Sequence, residues 1–400
     1  MQCTRKVTED VIWVGCNDRR TELFEHIFPI PRGVSYNSYL ILDEKTVLMD
    51  TVDAAAGEQF QENVKYALGG RELDYLVVHH MEPDHCSYIA YLMKEYPNLK
   101  VVGSAKAIQM IGQFFDIDLE GRTIAVKEGD TLETGKHVFR FMAAPMVHWP
   151  EVLVSYDETE KLLFTADAFG TFGALNGALF NDEFDFDKEW MADARRYYAN
   201  IVGKYGMQVQ NLLKKVATLD VAMICPLHGP VWRTDLSVFI DKYDKWSKYE
   251  PEEKAVAVFF GSIYGHTEEA VNALTCRLAE KGVRNIAVYD VSTTHVSTLI
   301  AEAFRCSNIV IACPTYNGGI FPPVEALLND MKNLTVRNRT VALMDNGTWA
   351  PAAGKMIEKA LLEMKNITIL DEKISMKSTL KQDREAELEA LADSIVASMA

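Results

Sequence analysis

The sequence predicts an α/β fold in two parts: a layered domain of packed sheets flanked by helices, then a doubly wound five-stranded parallel sheet. Three observations carry this. The chain has 400 residues, too long for one ordinary core, which favours two domains. Its second part alternates strand-like and helical runs, the mark of a parallel sheet with helices on both faces. Its first part is dominated by short strand-like runs with helices set among them, which suits sheets packed face to face.

In the first part the strand-like runs are VIWVG (11–15), SYNSYLIL (35–42), TVLMD (46–50), YLVVH (75–79), VVGS (101–104), HVFRFMAA (137–144), LLFTAD (162–167) and VAMICP (221–226). Helices are expected near 57–68, 87–96, 105–114, 188–203 and 208–217. The boundary falls in DKYDKWSKYEPEEK (241–254), which is dense in charge, carries Pro251 and runs at once into apolar Ala255–Phe260. The expected domains are 1–250 and 251–400. In the second, strands are expected at 255–260, 285–290, 308–313, 340–345 and 367–370. The helices between and after them are expected at 267–281, 296–305, 322–332, 351–364 and 381–398. Ligands of such sheets sit at the carboxyl ends of the strands.

Composition narrows the function. Hydrophobic residues make up 48% and charged residues 24%, which excludes a disordered or collagen-like chain. The net charge is −16 with no basic block, which argues against nucleic acid or an anionic membrane as partner. No apolar run approaches the roughly 20 residues of a membrane span, and the N-terminus has no apolar signal-peptide core. The seven cysteines are odd in number and form no CxxC, so reduced thiols and a cytoplasmic location are expected.

The strongest motif is VVHHMEPDHC (77–86), in which His80, Glu82, Asp84 and His85 form H-x-E-x-D-H directly after a buried strand. Alternation along the chain can converge His80, Glu82 and Asp84 on one side. His148, Asp167 and His228 stand at three further strand-to-loop junctions. Seven His, Asp and Glu side chains suffice for two metals, and Asp167 could bridge them. Imidazole and carboxylate without thiolate suit iron, manganese or zinc. His79, offset by one from His80, should face away. His137 and His295 are expected in solvated loops. His26, in the aromatic stretch FEHIF, is either core or part of the site wall.

This series resembles the metallo-β-lactamase superfamily, which implies an αββα sandwich. Hydrolases of that superfamily usually carry a third histidine where this chain has Glu82. A carboxylate there hardens the site and favours iron over zinc, and the Glu-containing pattern resembles the flavodiiron proteins. By that resemblance His80, Glu82 and His148 hold one iron, Asp84, His85 and His228 the other, and Asp167 bridges. His85 must turn sharply back to do so.

The second motif, FFGSIYGHTEEA (259–270), joins a strand to a helix. It is neither a Walker A loop nor GxGxxG. Its residues Ser262, Ile263, Tyr264, Gly265, His266 and Thr267 offer hydroxyls, free N–H groups and a helix N-terminus, which bind a phosphate dianion without a cation. The plain alternative is a βα turn with Thr267 as N-cap. Two more loops follow strands: Pro314, Thr315, Tyr316, Asn317, Gly318 and Gly319, and then Asn346, Gly347, Thr348 and Trp349. Small residues admit a ring edge, and Tyr316 and Trp349 can stack on its face. This layout resembles flavodoxin and implies flavin mononucleotide (FMN), although His266 stands where that family more often has asparagine.

Together the halves resemble a flavodiiron protein over nearly the whole chain. The resemblance implies a reductase of O2, NO or both, with two irons and FMN. It also implies a head-to-tail homodimer, or a dimer of dimers, that sets the flavin of one subunit against the irons of the other. His26, Trp149 and Tyr197 are candidates for groups beside the irons. No CxxC…CxxC module follows the last helix, so electrons are expected from a separate donor such as rubredoxin. Two alternatives remain at this level: a dizinc metallohydrolase fused to a flavodoxin-like module, and an electron carrier with a vestigial metal site.

Overall fold

The computed structural model describes residues 1–399. The chain divides into two compact units: Met1–Tyr198 with Met207–Asp244, and Ala199–Gly206 with the chain from Lys245 onward. The division lies six residues before the expected break after 250, and the second unit claims Ala199–Gly206 as well. Tyr249 explains why: its hydroxyl donates to the Gly203 carbonyl at 2.8 Å and accepts from the Gly206 N–H at 3.2 Å. A helix, Leu236–Lys248, runs through most of the boundary stretch 241–254.

The first unit holds two mixed sheets. One orders the strands Arg5–Lys6, Val11–Trp13, Tyr39–Ile41, Val47–Met49, Tyr75–Val78, Lys100–Ser104 and Thr123–Val126. The other orders Thr131–Glu133, Val138–Ala143, Leu153–Asp157, Leu162–Phe164 and Met223–Cys225. Arg5–Lys6, Thr123–Val126, Thr131–Glu133 and Leu153–Asp157 were not among the expected strands. The last is buried along its whole length, so it shows no alternation to read.

The sheets face each other. Tyr39 of one packs edge-on to Phe164 of the other, centroids 5.4 Å apart. His79 ties them: its N–H donates to Asp50 Oδ1 at 2.7 Å, its Nδ1 meets Asp50 Oδ2 at 2.5 Å, and its Nε2 lies 2.7 Å from Ser155 Oγ. His79 therefore faces away from His80, as the one-residue offset requires. The bridge also pins the strand end from which the metal loop departs. The helices Gly57–Leu68 and Ala105–Phe114 coincide with expectation.

In the second unit the sheet runs Ile286–Asp290, Glu253–Phe260, Cys306–Tyr316, Arg339–Asn346, Ile367–Met376, all parallel. In chain order this is 2-1-3-4-5, the flavodoxin-like order. Val256, Val258 and Val310 pack under Val271, Leu274 and Leu278 of the helix His266–Glu280 and Leu391 and Ile395 of the helix Glu385–Ser398. Ala257, Phe259, Ile309 and Ile311 point to the opposite face and are equally buried. Each such side chain contributes about 1.5–3 kcal/mol, and helices on both faces are needed to collect it. The order reverses between the first and third strands, which opens a crevice at their carboxyl ends.

Candidate functional site

Two sites are built, one in each unit. In the first unit Tyr75–Val78 runs into His80, and Glu82, extended, precedes a one-turn helix, Pro83–Cys86. That helix carries Asp84 and His85. Alternation thus accounts for His80 and Glu82 only; Asp84 is placed by the helical turn, which also swings the adjacent His85 ring back to the strand ends. His148, Asp167 and His228 arrive a few residues after Val138–Ala143, Leu162–Phe164 and Met223–Cys225.

All seven side chains come together and all are buried or nearly so. His80, Glu82, His148 and Asp167 form one group and Asp84, His85 and His228 another, the offered atoms of each within 4.8 Å of one another. Asp167 joins them. Its Oδ2 lies 3.2 Å from His80 Nε2 and 3.1 Å from His148 Nε2, while its Oδ1 lies 3.2 Å from His85 Nε2 and 3.6 Å from His228 Nε2. Glu82 Oε2 stands 3.2 Å from His80 Nε2 and 3.0 Å from His148 Nε2. Asp84 Oδ2 stands 3.3 Å from both His85 Nε2 and His228 Nε2.

The ring orientations are fixed from behind. His80 Nδ1 lies 2.8 Å from Glu151 Oε1, and His228 Nδ1 lies 2.7 Å from the Ser35 carbonyl. Both partners accept only, so each Nδ1–H donates and each Nε2 turns its lone pair inward. Asp84 Oδ1 and Oδ2 and Asp167 Oδ1 are buried with no hydrogen-bond partner. Buried carboxylates left so are costly, and cations at the two groups remove that cost. The nitrogen and oxygen donors fit iron, manganese or zinc. Without a cation His80, His85 and His148 favour their protonated forms. Burial opposes this, but Asp167 and Glu82 hold His148 up to about 9, and a metal replaces that proton on binding.

Glu151 had no signal in the sequence, because its partner His80 is 71 residues away. Replacing it with alanine frees the His80 ring. The expected outcome is a metal affinity roughly 10–100-fold lower with an unchanged circular dichroism spectrum, checked by iron retention against a graded chelator.

The wall is aromatic. Trp149 is perpendicular to His80 at 5.2 Å, and Phe24 lies 5.4 Å and Tyr197 5.5 Å from His228. Tyr197 is buried with its hydroxyl unpartnered, and burial beside Asp167 and Asp84 pushes its pKa well above the usual value. His26 is not core: it is exposed at the tip of the hairpin between Leu23–Phe24 and Phe28–Pro29. Its neighbour Glu25, absent from the sequence reading, is exposed at the same tip, and lost hydration together with the nearby Glu82 carboxylate pushes its pKa up. His137 is not solvated either but fully buried, with Nδ1 2.8 Å from Asp157. His295 is half-buried and caps the helix Val296–Arg305.

In the second unit a cleft of about 810 Å³ opens at the carboxyl ends of the strands. Ser262, Ile263, Tyr264, His266 and Thr267 line it, with Pro314 to Gly318 and Asn346 to Trp349, and Ser378 closes one side. No lysine or arginine lines it. Thr267 is not the N-cap; the helix starts at His266 after Gly265, whose φ of 92° needs glycine. Ser262 Oγ accepts from the N–H groups of Gly265 and Glu268 instead, at 3.1 and 3.4 Å. The loop after the third strand proves to be a hairpin, Thr315 and Tyr316 pairing with Ile320 and Gly319 around left-handed Asn317 and Gly318. Tyr264 and Trp349 are 90% and 89% exposed, which leaves both faces free to cover a planar ring. Hydroxyls, a helix N-terminus and uncovered aromatics fit a phosphorylated flavin.

Among known proteins, the family described as "ODP family beta lactamase" matches residues 34–229. The anaerobic nitric oxide reductase flavorubredoxin of Escherichia coli is 29% identical over 386 residues, 95% of this chain and 79% of that protein. Two solved structures resemble nearly the whole chain. Rubredoxin oxygen:oxidoreductase from Desulfovibrio gigas superposes with a TM-score of 0.92 at 26% identity, covering 99% of this chain and 98% of that one. The flavodiiron protein of Giardia intestinalis gives 0.93 at 25% identity, covering 100% and 98%.

Proposed function

This chain belongs to the flavodiiron proteins, and from that premise we propose that it reduces O2 to water, NO to N2O, or both, with electrons from a separate donor. Four electrons and four protons convert O2 to two waters; two electrons and two protons convert two NO to N2O and water. The observation that carries the reading is Asp167, one buried carboxylate with an oxygen turned to each ligand group. A bound iron pair supplies electrons and open positions for a small ligand, and bound FMN supplies further electrons.

The residues divide the work. His80, Glu82 and His148 hold one iron, Asp84, His85 and His228 the other, and Asp167 both. Glu151 and the Ser35 carbonyl orient the imidazoles. Phe24, Trp149 and Tyr197 exclude water. Tyr197 Oη keeps its proton at neutral pH, since burial raises its pKa, so it serves as a donor rather than a base. Ser262 and Thr267, with the N–H groups at the start of their helix, hold the flavin phosphate. Tyr264, Tyr316 and Trp349 cover the ring.

The names of the two reductases among the relatives support a rubredoxin-type donor. The seven cysteines are free and among the described residues no helix is long and apolar enough to cross a membrane; we place the protein in the cytoplasm, which cell fractionation checks. The active form we propose is the head-to-tail homodimer, so turnover should follow the dimer peak in size-exclusion chromatography and be absent from a monomer that keeps iron and FMN. The functional test is anaerobic reconstitution followed by mixing of the reduced protein with O2 and with NO. Consumption of at least one gas supports the reading, and consumption of neither by fully loaded protein refutes it.

A further inference from the structure

A second cluster of ligand-type groups lies in the first unit. Asp10 precedes the strand Val11–Trp13, His137 precedes Val138–Ala143, and Glu160 sits in the turn between Leu153–Asp157 and Leu162–Phe164. None of them contributes to the seven-residue centre. Their offered atoms lie within 4.8 Å of one another.

His137 is the telling member. It is fully buried, and Asp157 Oδ2 stands 2.8 Å from its Nδ1. Asp157 already accepts from the N–H groups of Thr159 and Glu160 and can only accept again, so Nδ1 carries the proton. Nε2 therefore points at Asp10, whose Oδ2 is 3.5 Å away; burial opposes a second proton on the ring, but Asp157 holds the His137 pKa above its usual value, and a metal replaces that proton on binding. Nε2 has no hydrogen-bond partner, and neither has the buried Oε2 of Glu160. A carboxylate behind an imidazole whose other nitrogen faces two more carboxylates is the arrangement that orients a metal-binding histidine. Ligand atoms about 2.0–2.1 Å from a tetrahedral ion stand roughly 3.3–3.4 Å apart, close to the observed Nε2–Oδ2 distance.

We infer that Asp10, His137 and Glu160 form a site for a borderline divalent cation of the zinc class, distinct from the redox centre and open to solvent through Asp10 and Glu160. One nitrogen and two carboxylates supply three ligands, and water completes the shell. Lys136 defines the competition. Its ammonium contacts Asp10 and lies 2.9 Å from Glu160 Oε1, so the incoming ion displaces it into solvent, where nearly half of that side chain already lies. The bound ion links a turn of the first sheet to two turns of the second and so stabilises the sandwich by mass action.

The test uses the holoprotein, loaded with iron and FMN, and zinc as the probe. Wild type should bind one zinc more than Asp10→Asn/Glu160→Gln in calorimetric titration and gain thermal stability on doing so. Both substitutions are at partly exposed positions, so the fold is kept where a His137 change would risk it. Lys136→Gln removes the competing charge and should bind zinc about tenfold tighter. If wild type and the double variant take up the same amount of zinc, the inference fails and Lys136 is the resident cation of an ordinary ion-pair cluster. Failure here leaves the reductase reading untouched, since gas consumption does not depend on this site.

Discussion

Asp167→Ala protein is expected to consume neither O2 nor NO above background and to be isolated with most of its iron missing, while its FMN content equals that of wild type. One carboxylate faces both ligand groups, Oδ2 toward His80 and His148 and Oδ1 toward His85 and His228. Its removal strips a ligand from each group and leaves four inward-facing imidazoles with less negative charge to offset two cations. Loss of an outer partner alone costs roughly 10–100-fold in affinity, and a shared ligand should cost more. FMN serves as the internal control, because every residue lining its cleft lies in the second unit. Unchanged gas consumption would show that the centre does not do the chemistry.

Asn346→Ala is expected to produce the converse: iron retained, flavin lost on dialysis, and no reduction by an external donor. Asn346 ends the fourth strand of the parallel sheet and is buried. Its Nδ2 donates to the Ser378 carbonyl at 2.8 Å and to Thr267 Oγ1 at 3.3 Å, and its Oδ1 accepts from the Ser378 N–H at 3.0 Å. It thus ties three walls of the cleft. Three neutral hydrogen bonds together contribute about 2–3 kcal/mol, so FMN affinity should fall by up to roughly 30–150-fold. Fluorescence titration of the apoprotein with FMN measures this directly. Equal affinities would mean the walls hold their positions without the clamp.

What the sequence made legible follows from range. The parallel sheet was readable because each strand, loop and helix follows within about 40 residues, and burial on both faces makes the strands continuous apolar runs. The ligand-type residues of the first unit were readable because His80, His148, Asp167 and His228 each follow a strand within a few residues, while Glu82, Asp84 and His85 share the H-x-E-x-D-H motif that continues from the first of them. What failed was tertiary. Leu153–Asp157 hid because it is buried throughout. His137 was expected in water because it begins a hairpin strand, yet Asp157, 20 residues on, draws it inside. Glu151 and Glu25 act on residues 71 and 57 positions away, and nothing local marks either. His26 was singled out from its aromatic neighbours, but the hairpin turns Phe24 inward and leaves His26 at the tip.

The central claim is that the first unit holds two irons and the second one FMN. The most direct measurement is elemental analysis with flavin quantitation on protein produced with ample iron and riboflavin. Two irons and one FMN per chain, with no more zinc than the single ion the Asp10–His137–Glu160 site would take, is the result expected from this donor set and cleft. Two zincs per chain with no activity toward either gas, or protein that emerges colourless and metal-free, would contradict it.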